Sequence, residues 1–259
     1  MKQKQDKTKI KIKNMNELLK DLISAGVKWE LTDIPVGFSI QEPIEPQTAR
    51  IRVSAIVPPI SPVSTVGVET ARACAARPTT LAALDRMISE FNHPLRSGVT
   101  NVVLPHIANA PNGLLIITDM PSSEDDANGQ ILSGPAGDLT DKMLTAIGMS
   151  RENVHIGPVL FWRTPGGRSP SRQELDLGRP FLDKLIELTE PRVILTFGTL
   201  AAAEVANIDL MHNHGNETSV CGNIPCFSVY HPNYLILKPG AKADVWVVLQ
   251  NVQKLLKNL

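Results

Sequence analysis

Residues 114–148 read LLIITDMPSSEDDANGQILSGPAGDLTDKMLTAIG, and this stretch decides the fold. It opens on a continuous apolar run, Leu114 to Thr118, too short for a helix and bounded by turn formers, as a strand buried on both faces would be. The run stops at Asp119-Met120-Pro121, where proline ends the pairing and an acidic cluster, Glu124, Asp125 and Asp126, follows. Ser133-Gly134-Pro135-Ala136-Gly137 then makes a tight turn into a helix near 138–147, with Leu139, Met143 and Leu144 on one face. Strand, polar loop and helix in that order form half of a parallel βα unit.

The same alternation continues toward the C-terminus. Strands are predicted at Val154 to Phe161, Val193 to Phe197 and Cys226 to Tyr230, and helices near 171–189, 199–206 and 242–257. Ser171 and Glu174 have capping-box spacing, while Pro180 predicts a kink or break in the helix they open. The expected fold is therefore α/β in three layers: a four-stranded parallel sheet flanked by helices. In such sheets ligands bind at the carboxyl ends of the strands, so the loops that begin at Asp119, Arg163, Gly198 and His231 are where chemistry is expected.

Upstream, Thr79 and Thr80 offer a cap for a helix carrying Leu81, Leu84, Met87, Ile88 and Phe91. Before it, residues 15–78 read as a short helix at 15–27 and a proline-rich linker, including Pro58-Pro59-Ile60-Ser61-Pro62. Residues 1–14 form a basic tail with six lysines against one aspartate. The domain is accordingly placed at 79–259. The tail reads either as a phosphate-binding arm or as a solvated extension.

The whole chain of 259 residues has 26 basic and 26 acidic side chains, so any affinity for nucleic acid comes from local patches rather than from net charge. Three scattered cysteines exclude a disulfide framework or a four-thiolate metal site. No apolar run approaches the roughly 20 residues that span a bilayer, and no secretory pattern opens the chain. A monomer in the reducing cytoplasm is the expectation.

Several fragments are collinear with motifs of one family. Pro121, Glu124, Asp125, Gly129, Gly134, Ala136, Gly137, Leu139, Asp141, Met143, Leu144, Gly148, Arg163, Pro165, Arg168, Pro170, Gly198, His231, Pro232 and Leu235 fall in order and at matching spacing. Across roughly residues 80–257 the chain thus resembles the uracil-DNA glycosylase superfamily, above all its iron-sulfur group, family 4. That resemblance implies cleavage of the bond between a base and deoxyribose after the nucleotide is flipped into a pocket, with DNA as partner.

Carried over residue by residue, it makes His231 the donor to the base oxygen and Asp119 the carboxylate that orients water, with Asp125 a second candidate for that role. Met120, Pro121, Leu132 and Pro158 fall at the base pocket. Leu132 stands where the family has a stacking phenylalanine, and Pro158 where it has the asparagine that reads uracil, so another base or a looser specificity is implied. Ser133, Gly134, Arg163 and Arg168 are expected at phosphates, and Arg172 with them, although ion pairs with Glu174 or Asp176 are the alternative for the arginines. Asn233, Tyr234, Leu235 and Lys238, with Ile236, resemble the segment that wedges into the duplex. The four cluster-binding cysteines map onto Glu90, His93, Trp162 and Gly178, so no iron-sulfur cluster and no other cofactor is expected, with Trp162 filling the vacated space. Two alternatives stay open: a DNA-binding paralogue without turnover, and an α/β hydrolase acting on nucleosides or nucleotides.

Overall fold

The computed structural model of the chain describes residues 67–258. The basic tail, the expected helix at 15–27 and most of the proline-rich stretch lie outside the described residues.

The apolar runs become the centre of one sheet. β1 (Leu114–Thr118), β2 (Val154–Pro158) and β3 (Val193–Phe197) are parallel and in register, with Leu114 opposite both Val154 and Val193. β4 (Glu217–Val220) and β5 (Ile224–Val229) complete the order β2-β1-β3-β5-β4, with β5 parallel to β3 and β4 antiparallel at the edge. The sheet therefore has five strands, one more than the sequence predicts. Glu217, Thr218 and Ser219 carry no apolar run, and pairing with β5 on one side alone lets them face water.

Alternation along the strands builds the layers. Leu114, Ile116, Val154, Ile156, Val193 and Leu195 pack beneath two helices, the first carrying Leu144 and the second Val245, Leu249 and Val252. Leu115, Ile117, Ile194 and Cys226 turn the other way, onto Leu175, Leu182, Ile186 and Ala201. Every residue of β1, β2 and β3 is buried, and each such Leu, Ile or Val contributes about 2 kcal/mol of burial.

In chain order the helices are α1 (Val68–Ala75), α2 (Leu81–Glu90), α3 (Ser123–Asn128), α4 (Gly134–Ala146), α5 (Arg172–Thr189), α6 (Thr199–Ala206), α7 (Leu210–Asn213), α8 (Pro232–Leu237) and α9 (Lys242–Asn258). Thr80 caps α2 by accepting the Ala83 N–H, and Ser171 with Glu174 forms the expected capping box of α5. No helix among the described residues is long and apolar enough to cross a membrane.

Three expectations are corrected. α1 lies inside the stretch read as linker, yet it is helical and buries Ala71 and Ala75 against the α5 side of the core, so the packed unit begins before residue 79. The prolines that suggested a linker flank this helix without interrupting it. α5 runs unbroken through Pro180, because burial of Phe181, Leu182 and Leu185 outweighs the one hydrogen bond that proline removes. β2 ends at Pro158 rather than at Phe161, since the Val159 N–H turns to the carbonyls of Thr118 and Asp119.

Candidate active site

Because β1, β3 and β5 are parallel and aligned, Asp119, Gly198 and His231 leave the sheet at the same end. A cavity of about 270 Å³ opens there, walled by Asp119, Met120, Pro121, Asp125, Leu132 and His231, with Arg163 and Asn233 at its mouth. A larger groove of about 570 Å³ runs along the far side of Leu132, past Asp138, Asp141 and Arg151. It contains neither Asp119 nor His231, so the smaller cavity is the candidate site.

Asp119 leaves β1 and reaches across to the start of α6. Its Oδ1 accepts the Ala201 N–H at 2.8 Å, and the Leu200 N–H also points to it. The approach is close because residue 198 is glycine, with φ of +103°: a Cβ there would collide with the Asp119 carboxylate. Burial pushes the Asp119 carboxyl up to about 6, against the opposing pull of those two N–H groups. Sequence reading placed this carboxylate at a strand exit but missed its anchor, because Gly198 and Ala201 lie some 80 residues downstream.

His231 caps α8, its Nδ1 accepting the Asn233 N–H at 3.1 Å. That bond assigns the ring proton to Nε2, which donates to Thr118 Oγ at 3.0 Å. Burial pulls the imidazole down to about 4, despite the nearby Asp125 charge. The ring is therefore neutral at physiological pH, with an N–H directed at the cavity side of β1.

Asp125 is differently employed. Its Oδ1 accepts the N–H and Oγ–H of Ser133, at 2.6 and 2.9 Å, and its Oδ2 accepts the Ser122 N–H at 3.0 Å. It is buried, and it ties the loop after β1 to the start of α4, so it shapes the wall. Ser133 and Gly134 stand at that helix start and line the larger groove instead of the cavity, and the Ser133 hydroxyl is spent on Asp125.

Leu132 forms the wall opposite, with φ of +49°. Arg151 holds this turn by donating to the carbonyls of Ile131 and Leu132, at 3.0 and 2.6 Å, while its Nε donates to Asp141 at 2.7 Å. Gly137 leaves room, since a Cβ there would fall on the Leu132 carbonyl oxygen. No spacing in the sequence singles out Arg151. Pro158 does not line the cavity; it is buried at the end of β2 opposite Thr118.

The cationic and apolar residues expected at DNA divide. Arg163 lies at the mouth and pairs with no carboxylate among the described residues. Arg168 forms a two-pronged pair with Glu174, and Arg172 pairs with Asp176 and Glu204, so the ion-pair alternative describes both. Within α8, Leu235 is 1% exposed and belongs to the core, a correction to its expected place in the wedge. Helical spacing turns the next two residues outward instead: Ile236 is 41% exposed and Leu237 77%. Tyr234 is half-exposed and packs on Tyr230, and Lys238 ends the helix in solvent.

The iron-sulfur positions do not fit a cluster. Glu90, His93, Trp162 and Gly178 supply no thiolate, and among the described residues no group of three or more His, Cys, Asp or Glu side chains is placed to hold a metal. His93 and Trp162 instead stack, ring centroids 4.3 Å apart and planes 4° from parallel.

Comparison with known proteins gives this geometry a setting. The family model described as "Uracil DNA glycosylase superfamily" matches residues 105–253. A type-4 uracil-DNA glycosylase of Archaeoglobus fulgidus is 29% identical over 154 residues, 56% of this chain and 77% of that protein. One from Thermotoga maritima is 29% identical over 164 residues, 62% of this chain and 84% of its own length. One from Saccharolobus solfataricus is 31% identical over 146 residues, 52% and 68% of the two chains.

Proposed function

This chain belongs to the uracil DNA glycosylase superfamily, and from that membership we propose that it is a DNA glycosylase, hydrolysing the N-glycosidic bond of uracil or another deaminated or damaged base in DNA. The observation that carries the reading is the pairing of a neutral imidazole and a half-buried carboxylate around one cavity at the carboxyl end of the sheet.

Cleavage leaves negative charge on the departing base and positive charge on the sugar. The His231 Nε2–H, released from Thr118 Oγ when a base enters, supplies a hydrogen bond to the base oxygen. A neutral imidazole suits this role, since it donates without first being protonated. Asp119, ionised above about pH 6, faces the sugar cation and orients the attacking water. Arg163, Asn233, Tyr234 and Lys238 meet the strand around the flipped nucleotide, with Ile236 and Leu237 entering the stack. Leu132 offers the base an apolar wall without an aromatic face, donor or acceptor. Selectivity for uracil over other bases is accordingly weak.

The test is a strand-cleavage assay on duplexes carrying a single uracil, hypoxanthine, xanthine or mismatched thymine. Abasic product from at least one, lost in His231→Ala and in Asp119→Asn, is the expected result. Tight DNA binding without product on any duplex would replace the enzyme with a binding paralogue, and turnover of free nucleosides alone would replace it with a nucleoside hydrolase.

A further inference from the structure

His93 touches both ends of one loop. Its ring lies flat on Trp162, immediately before Arg163, and its Nε2 is 3.1 Å from the carbonyl oxygen of Glu174, in the first turn of α5. The Nδ1 atom accepts the Leu95 N–H at 3.2 Å, so the ring proton resides on Nε2 and is donated to Glu174. His93 and Trp162 are both fully buried, among Phe91, Phe161 and Phe181.

Between those two attachment points run residues 163–173, and they include part of the cavity wall. Arg163 and Gly167 line the cavity, and buried Thr164 donates its hydroxyl to the Arg168 carbonyl while its Oγ1 also packs on the sulfur of Met120, itself a wall residue. At the far end Glu174 binds Arg168 through both carboxylate oxygens and caps α5 through the Ser171 N–H. The loop is thus drawn closed at its base, and one imidazole makes the closure.

We propose that His93 is a positioning residue, a metal-free staple that joins Trp162 to the first turn of α5 and thereby fixes the loop carrying Arg163 and Thr164 at the cavity. Two of the four positions where family 4 would place thiolates, His93 and Trp162, form the stack, so ring stacking and one hydrogen bond make the connection there in place of metal ligation. The inference goes beyond the glycosylase reading and stands or falls separately from it.

The Arg163–Thr164 peptide bond reports the staple, since Thr164 is buried and trypsin reaches that bond only when the loop base opens. The full chain is digested under native conditions as wild type, His93→Ala, His93→Phe, His93→Gln and Phe181→Leu, with global stability measured in parallel by urea unfolding. Phe181 lies in the same aromatic cluster and away from the hydrogen bond to Glu174, so it controls for general loosening. Cleavage after Arg163 rises at least tenfold in His93→Ala, beyond anything seen in Phe181→Leu at matched stability. The Phe variant, which keeps the stack, and the Gln variant, which keeps a donor for Glu174, each restore part of the protection. Equal cleavage in His93→Ala and Phe181→Leu at matched stability would overturn the staple. Stoichiometric iron in anaerobically purified wild-type protein would overturn its metal-free character.

Discussion

Replacing Asp119 with asparagine should make the protein more stable at neutral pH while abolishing its chemistry. Burial raises the Asp119 carboxyl from 3.8 to about 6. At about 1.36 kcal/mol per unit, holding that group ionised in the folded protein above pH 6 costs about 3 kcal/mol. The sign follows from the direction of the shift. Between pH 4 and 6 the folded chain keeps a proton that the unfolded chain has released, so the stability Asp119 contributes is complete below pH 4 and is lost as pH rises through 6. The Asp119→Asn variant has no such dependence, and its side-chain oxygen still accepts the Ala201 N–H. It gives up one of the two hydrogen bonds from backbone N–H groups, for about 1 kcal/mol. The net gain at pH 7.5 is then about 2 kcal/mol, or about 4–8 °C in Tm for a domain of this size. The assay is thermal and urea unfolding of both proteins from pH 4 to pH 8. A stability difference that does not change with pH, or a variant that loses ground to wild type as pH rises, would refute the account of Asp119 as a carboxylate held ionised against its surroundings.

Three further outcomes are expected. In ¹⁵N spectra, His231 stays neutral with its proton on Nε2 from pH 8 down to about 5, because burial holds its titration near 4; an imidazolium signal at pH 6 would contradict this. Gly137→Ala, a change that stabilises most helices by about 0.5–1 kcal/mol, should here destabilise by about 3 kcal/mol or more, since the new Cβ would meet the Leu132 carbonyl; an unchanged urea midpoint would count against that contact. Leu235→Ala should cost about 2–5 kcal/mol of stability. Leu237→Ala should leave stability within about 0.5 kcal/mol and weaken DNA binding, and the opposite pattern would reverse the two faces assigned to α8.

The parts of the fold that were legible are those whose signal is local. β1 and β3 appear as short apolar runs because both faces of the sheet are covered, and α5 announces itself through Ser171 and Glu174. β4 was invisible because its residues are polar and its pairing depends on β5. α1 was hidden by the prolines around it, although its alanines have helical spacing. At the cavity, it was the family resemblance, more than any local pattern, that grouped Asp119, Asp125, Leu132 and His231, and all four line it. Their division of labour was not legible, because it depends on partners far along the chain: Ala201 for Asp119, Ser133 for Asp125, Thr118 for His231. Leu235 was misplaced for a simpler reason. A single residue step, a rotation of about 100° around the helix, separates the core face of α8 from its exposed face, and motif spacing alone does not choose between adjacent positions.

The left-handed backbone at Leu132 limits what evolution or design can put in its place. Val, Ile and Thr branch at Cβ and are heavily penalised at positive φ, so the replacements open to an apolar wall are those with a single Cβ substituent, such as Met, Phe or Leu itself. Arg151 and Gly137 grip the backbone of this turn and leave the side chain untouched. The shape of the cavity wall can therefore be changed by one codon, through side-chain length or aromaticity at this position, while the surrounding scaffold stays as it is.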